Sequence, residues 1–452
     1  MRRTISIAVL AACAPVTLAQ TPPPRDAAAI IRVVSPVVAL TNVNVIDGTG
    51  APARPNQTVL IESGHIRDVG DASKVVVPDG AKVFDLAGQS VLPGLVSLHD
   101  HIMNQSASAP ELYLAGGVTT LRTAGGSEPY GDLNLRQRIE SGRIAGPELF
   151  VTGPFLSHGE RLGFIFMKNV RDAADARAAV RYWAAEGVTS IKVYREMTPP
   201  LLRATVEAAH ELRLPVLGHL EATTCAEAAK LGLDSIEHGF ATCQADLRDA
   251  TGKVVSDPES PQAQALIKTL VGHNVSLTPT PVDLTPHSAE ALEVMHAGMQ
   301  AEYAKRKAAG TLGPGRVPVD DEAQGPKGLE VAFVRAGGRI ALGADCAPTN
   351  PARIPGFANH KAVRMLFTDR GFTALEAIRI ATLNGAAILK IDDRTGSIAK
   401  GKEADLMIVK GDPSTRIADI DKVTLIFSNG VAYDPKILRS LVRGLYGLPS
   451  SR

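Results

Sequence analysis

Between Val91 and Leu389 short apolar runs alternate with stretches of helical periodicity, and this alternation restricts the fold more than any other feature. Eight runs read as strands: Val96–His101, Val118–Arg122, Glu148–Thr152, Ser190–Tyr194, Val216–His219, Ser235–His238, Val275–Thr278 and Ile340–Asp345. Helix-like segments lie between them at Gly131–Ser141, Ala173–Glu186, Pro199–Leu212, Thr223–Leu231, Gln262–His273 and Gly328–Ala336. Repeated strand–helix units predict an α/β chain with a parallel sheet, and eight of them predict a TIM (β/α)8 barrel over residues 91–389.

The patterning differs outside that region. Val38–Asp47 alternates, Gln57–Val69 reads as two strands around Ser63-Gly64-His65, and Lys82–Asp85 adds a short one. After helix-like stretches at Asn359–Asp369 and Thr373–Leu389, Asp405–Lys410 reads as a strand. Val423–Ser428 and Val431–Asp434 then flank Asn429-Gly430, a pair suited to a type I′ hairpin turn. One small β-sandwich built from residues 36–90 and 390–435 accounts for β material at both ends. The long connection from Pro281 to Lys327 fits either a lid over the barrel mouth or a solvated excursion.

Hydrophobic residues make up 45% of the 452, enough for a large core. The 48 basic and 47 acidic side chains nearly cancel and aromatics are 4%, so neither charge nor base stacking argues for nucleic acid. Residues 1–19 read as a secretory signal: Arg2 and Arg3, an apolar stretch from Ile5 to Cys13, and small residues before Gln20. Leu10-Ala11-Ala12-Cys13 also fits a lipoprotein box, which would put a lipid anchor on Cys13. Either route makes the mature chain periplasmic or secreted.

The chemistry gathers at strand ends. Strand 1 closes with His99-Asp100-His101, and residues two apart on a strand face one side. Lys192 sits among apolar residues of Ser190–Tyr194, where burying a charge is costly. Gly218-His219, Glu237-His238-Gly239 and Gly343-Ala344-Asp345 end three further strands. Each has a bland reading: a core histidine, a snorkelling lysine, a cap. Together they place four His, one Lys and one Asp at the C-terminal ends of strands, where barrel enzymes keep their sites.

In this order, Val91-Leu-Pro-Gly-Leu-Val-Ser-Leu-His-Asp-His101, Ile191-Lys-Val-Tyr194, Gly218-His219, Ser235-Ile-Glu-His238, Gly343-Ala-Asp345 and Gly396–Leu406 resemble the amidohydrolase superfamily, from about Val38 to Pro435. The imidazolonepropionase-like and Xaa-Pro dipeptidase branch is the most similar in motif. The resemblance implies two divalent metal ions, zinc first among them. His99 and His101 would hold one with Asp345, His219 and His238 the other, and Lys192, carboxylated by CO2, would bridge both. A metal-bridging hydroxide would attack the scissile carbonyl while Asp345, as the catalytic acid–base, moves the proton. A neutral lysine would leave more metal charge uncompensated, and an ammonium would repel the ions.

The resemblance also implies a substrate-binding role for His158, from the loop position that meets the substrate carboxylate in related dipeptidases, and a homo-oligomeric state. Tyr194, two residues after Lys192, faces the same side and is a second candidate substrate contact. Cys225 and Cys243 follow His219 and His238 on loops that adjacent strands would bring together, where they fit a disulfide or two packed thiols; Cys346 reads as a packed thiol. Gly396-Ser-Ile-Ala-Lys-Gly-Lys402 mimics a P-loop, but Glu403 stands where Ser or Thr is needed. The expected function is an exported binuclear hydrolase of a small-molecule amide, a dipeptide or N-acyl amino acid. A lactone, cyclic amide or phosphoester in the same site is the alternative, and a non-catalytic binding protein the reading from another class.

Overall fold

The computed structural model describes residues 31–33, 35–102, 109–126, 129–159, 167–281, 285–310, 328–346 and 351–447. The expected signal segment, the anchor candidate Cys13 and much of the expected lid lie outside these residues. Strands β1 (Ile31–Val33), β2 (Val37–Val45), β3 (Arg54–Glu62), β4 (His65–Asp71), β5 (Lys82–Asp85) and β6 (Gln89–Pro93) precede the strand–helix region. There follow β7 (Leu95–Asp100), β8 (Val118–Thr123), β9 (Glu148–Phe150), β10 (Thr152–Ser157), β11 (Lys168–Asn169), β12 (Ser190–Val193), β13 (Val216–Gly218), β14 (Ser235–Glu237) and β15 (Ser276–Thr278). The chain returns to strand with β16 (Leu406–Lys410), β17 (Val423–Ser428) and β18 (Val431–Tyr433).

Strands from both ends of the chain share one nine-stranded mixed sheet, in the order β1-β18-β17-β16-β6-β2-β3-β4 with β5 beside β2. The seam is the antiparallel pairing of β16 with β6, running from Leu406 opposite Pro93 to Lys410 opposite Gln89. Two hairpin turns reinforce it. Ser63-Gly64 and Asn429-Gly430 all take positive φ, the geometry a two-residue turn needs. The turns press together so closely that a Cβ on Gly430 would lie 2.3 Å from the Gly64 Cα, so the position admits only glycine.

Helical segments separate most of the strands from β7 to β15, and the strands pair in parallel, as the alternation predicts. A three-stranded sheet runs β7-β8-β9 and a six-stranded one runs β11-β10-β12-β13-β14-β15. Single bridges span their edges: Gly126 with Pro154, Leu277 with Ile340, and Ser97 with Leu342. Several helices start on the caps their sequences offer. The Asp172 and Ser260 side chains accept from Asp175 N and Ala263 N, and Thr373 with Glu376 forms a capping box.

Three expectations change in detail. Glu148–Thr152 is not one strand: it divides at Val151, because the first part pairs with β8 and the second begins the ladder with β12. Ile340–Asp345 forms no continuous strand and pairs at single positions on each flank. The helix expected over Thr373–Leu389 passes through a π-helical stretch at Ile380–Asn384, where Gly385 packs so closely on Val96 that an added Cβ would lie 2.8 Å from its Cγ1.

Cys225 and Cys243 form a disulfide that joins the segments following β13 and β14 across 18 residues. Closing a loop of that length stabilises the fold by about 3 kcal/mol through the unfolded chain. Cys346 is buried and takes no part in the disulfide. No helix among the described residues is long and apolar enough to cross a membrane.

Asp405, at the head of β16, accepts hydrogen bonds from the Asn429 amide at 2.8 Å and the Thr395 hydroxyl at 3.1 Å. Burial pushes its carboxyl up to about 6, against an ordinary 3.8. An acid bound more tightly by its proton in the fold destabilises that fold once ionised. Stability is therefore lost as pH rises from about 4 to about 6 and stays lost above. At about 1.36 kcal/mol per tenfold change in proton affinity the loss is roughly 3 kcal/mol. Asn fits the same contacts, its carbonyl accepting from Asn429 and its amide donating to Thr395. Asp405→Asn should remove this pH step and melt no lower than the wild type at pH 7. Denaturant midpoints measured from pH 4 to 7 check it, and an unchanged pH slope contradicts it.

Candidate metal centre

Parallel strands bring their C-terminal ends to one side, and the polar residues at those ends meet in one cavity of about 590 Å³. His99, His101, Lys192, Tyr194, His219, His238 and Asp345 all line it. The His99 Nε2 and His101 Nε2 lie 3.6 and 3.3 Å from Asp345 Oδ1. One ligand atom from each of these three residues falls within 4.8 Å of the others, the compact donor set a cation needs. The His238 ring lies tilted against that of His99 with centroids 4.6 Å apart, and His219 meets His238 edge-to-face at 4.4 Å.

The backbone aims these groups. His238 and Asp345 take left-handed φ values of 64° and 47°, which turn their side chains off the strand direction, and such strain in non-glycine residues gathers at functional sites. The Asp345 amide donates to the His99 carbonyl at 2.8 Å, tying the final segment to β7 at the site itself. The imidazoles are held from behind. His99 Nδ1 makes a short hydrogen bond to the Glu237 carboxylate, and His101 Nδ1 donates to the Gly125 carbonyl at 2.9 Å. An Nδ1 that donates leaves Nε2 with its lone pair free for a cation. His238 Nδ1 lies 2.8 Å from the Thr280 hydroxyl.

The electrostatics keep the His219 and His238 rings neutral and Asp345 charged. Burial, with the Lys192 charge, brings His219 down to about 3, and burial among its neighbouring histidines holds His238 well below the imidazole range. Burial also lowers His101, but its contacts with Asp345 outweigh that and raise it. Asp345 is pushed up by burial and pulled further down by Arg353 and the two histidines, so it stays ionised. Arg353 Nη1 lies 3.0 Å from Asp345 Oδ2, leaving Oδ1 toward the histidines.

Lys192 is 1% exposed. Burial lowers its amine to about 8. Among the described residues no hydrogen bond or ion pair within 4 Å holds its Nζ, although it faces a cavity of histidines. An amine with its proton loosened and no fixed partner can add CO2, so the site fits the bridging group that the sequence motif implies.

Sequence reasoning missed the layer beneath. Glu237 is fully buried and accepts from Arg122 Nη2 at 3.1 Å and from the Ser235 hydroxyl at 3.0 Å, besides His99. Burial alone would raise its carboxyl, but Arg122, Lys192 and His99 hold it down at about 2. The signal was present: Ser235 and Glu237 are two apart on β14 and so share a face, and Arg122 is the one charged residue of β8. Arg353 carried no such signal, because it follows the last strand at a distance. Tyr194 lines the cavity with its ring 4.9 Å from that of His219 and 5.2 Å from that of Phe155. His158 is not among the lining residues, and its Nδ1 donates to the Val170 carbonyl at 2.7 Å.

Known proteins resemble this arrangement over most of the chain. The amidohydrolase family matches residues 90–432. The imidazolonepropionase of Deinococcus radiodurans is 24% identical over 375 residues, spanning 80% of this chain and 87% of that protein. That of Micrococcus luteus is 25% identical over 383 residues, spanning 80% and 89%. A solved Xaa-Pro dipeptidase with methionine in its active site shares the fold at a TM-score of 0.65 and 22% identity, covering 88% of this chain and 100% of that one. With a family match that takes in every residue of the cavity just described, the chain belongs to the amidohydrolase family, hydrolases of carbon–nitrogen bonds.

Proposed function

We propose that this chain is an exported binuclear metal-dependent amidohydrolase that cleaves an amide bond of a dipeptide or N-acyl amino acid. The observation that carries the reading is the convergence of four histidines, Asp345 and the buried Lys192 on one cavity. His99, His101 and Asp345 would hold one divalent cation, His219 and His238 the other, and the Lys192 carbamate both. When bound, such cations polarise a carbonyl and make water a nucleophile near neutral pH.

The chain's own groups supply the rest. Asp345, ionised and oriented by Arg353, takes the proton of the attacking water at Oδ1 and returns it to the leaving nitrogen. Tyr194, its hydroxyl kept protonated by burial, donates to the substrate carboxylate or the developing oxyanion. His158, its Nδ1 held by the Val170 carbonyl, stays a candidate substrate contact through Nε2. The relatives named imidazolonepropionase favour a cyclic amide as the second reading of the bond.

The finer architecture belongs to the same proposal. The three single bridges support closure of the parallel sheets into a (β/α)8 barrel over 91–389. One buried cluster joins Val38, Leu40 and Val59 with Ile408, Leu425 and Phe427, which supports a composite sandwich of 36–90 and 390–435. Removal of residues 1–19 and delivery to the periplasm or exterior complete the reading. The disulfide supports it, since disulfides persist in oxidising compartments.

Dipeptides, N-acyl amino acids, cyclic amides and lactones form the substrate panel. Cleavage of linear amides that share one C-terminal residue is the expected result, and turnover confined to cyclic amides or lactones moves the assignment to the second reading. Lys192→Ala should lose most bound metal and about 100-fold or more in kcat/KM, and Lys192→Arg should not restore either. A Lys192→Ala enzyme with full metal and full rate removes the carbamate. Glu237→Gln should weaken metal binding roughly 10–100-fold by freeing the His99 ring. Metal-competition titration checks this, and wild-type affinity would show that Glu237 does not position His99.

A further inference from the structure

A second cavity, about 690 Å³, opens at the opposite, N-terminal ends of the strands. Ser190, Ser235 and Ser276, the first residues of β12, β14 and β15, lie on its wall. Its rim carries Arg213, Arg339 and Lys390, all exposed, and none forms an ion pair among the described residues. The one acid that lines it, Asp234, is engaged by His210 at 2.9 Å and by the Val216 amide at 2.8 Å. Three rim cations against one carboxylate leave this rim net positive, and a concave, low-dielectric wall focuses that charge.

The backbone adds an independent observation. Helices that end in a left-handed residue prefer glycine there, since a side chain in that conformation is strained. Gly187, Gly232 and Gly337 take that place after the helices Ala173–Ala185, Cys225–Lys230 and Leu329–Arg335. Arg213, Asn274 and Lys390 take it instead after Pro199–Glu211, Pro261–Gly272 and Gly385–Leu389, with φ values of 60°, 60° and 61°. These three departures from glycine all line the one cavity, and two of them bring cations to it.

We propose that this cavity binds a small polyanion, a molecule bearing two or more negative charges on carboxylate or phosphate groups. Arg213, Arg339 and Lys390 would pair with the charged groups, while the Asn274 amide would donate to their oxygens. The site is separate from the metal centre and does not depend on the reaction proposed there.

Calorimetric titration of the whole protein at low ionic strength, with inorganic phosphate and with tricarballylate, tests the assignment. Saturable binding that weakens with added salt is expected. Preference for phosphate marks a phosphorylated ligand, and preference for tricarballylate a polycarboxylate. Arg213→Gly with Lys390→Gly should weaken binding about ten-fold or more, and should melt no lower than the wild type because glycine suits both positions. His219→Ala should leave the affinity unchanged. Absence of saturable binding by both probes, wild-type affinity in the double glycine variant, or loss of binding in His219→Ala would overturn the proposal.

Discussion

The Glu237 carboxylate is the interaction on which the metal-type site rests. It is fully buried, where an unpaired charge is prohibitively costly, and it is stabilised only because Arg122, Ser235 and His99 all point donors at it. Its hold on His99 Nδ1 fixes which ring nitrogen faces the cavity. His99 then sets its neighbours, since its carbonyl receives the Asp345 amide and its ring packs against that of His238. One carboxylate on β14 and one guanidinium on β8, strands of different sheets, thus fix the His99 ring from beneath.

The ends of the chain solve a different problem. A parallel sheet surrounded by helices leaves the entering and leaving segments without partners, and here each partners the other through the β6–β16 seam and two abutting hairpin turns. The protonation of Asp405 adjusts that seam, because its carboxyl binds the start of the second turn. The disulfide makes a similar link nearer the site, joining the segments that follow His219 and His238.

Much of this was legible in the residues. Apolar alternation located most strands within a residue or two, because buried parallel strands are short and bounded by turn residues. The ligand candidates could be read because strand periodicity and strand ends are local properties: His99 and His101 share a face whatever the rest of the chain does. Asn429-Gly430 announced its turn for the same reason. Glu237, Arg122 and Arg353 were not singled out, since their roles come from neighbours more than a hundred residues distant or, for Arg353, from a segment without periodicity. The break at Val151 and the single-residue pairing of Ile340–Asp345 were hidden too, because which strand a run pairs with is decided by the closed arrangement of all of them. The cationic cavity at the strand N-termini escaped because Arg213 and Lys390 lie far apart in sequence and look like ordinary surface charges.

The central claim is that these side chains form a cation site with catalytic purpose. Metal content per chain, measured by plasma mass spectrometry on protein purified without chelator, tests it most directly. The account predicts about two divalent transition-metal ions per chain, with amide hydrolysis that is lost on chelation and regained on adding Zn²⁺. A chain that carries no metal and takes up none when Zn²⁺ is supplied would contradict it.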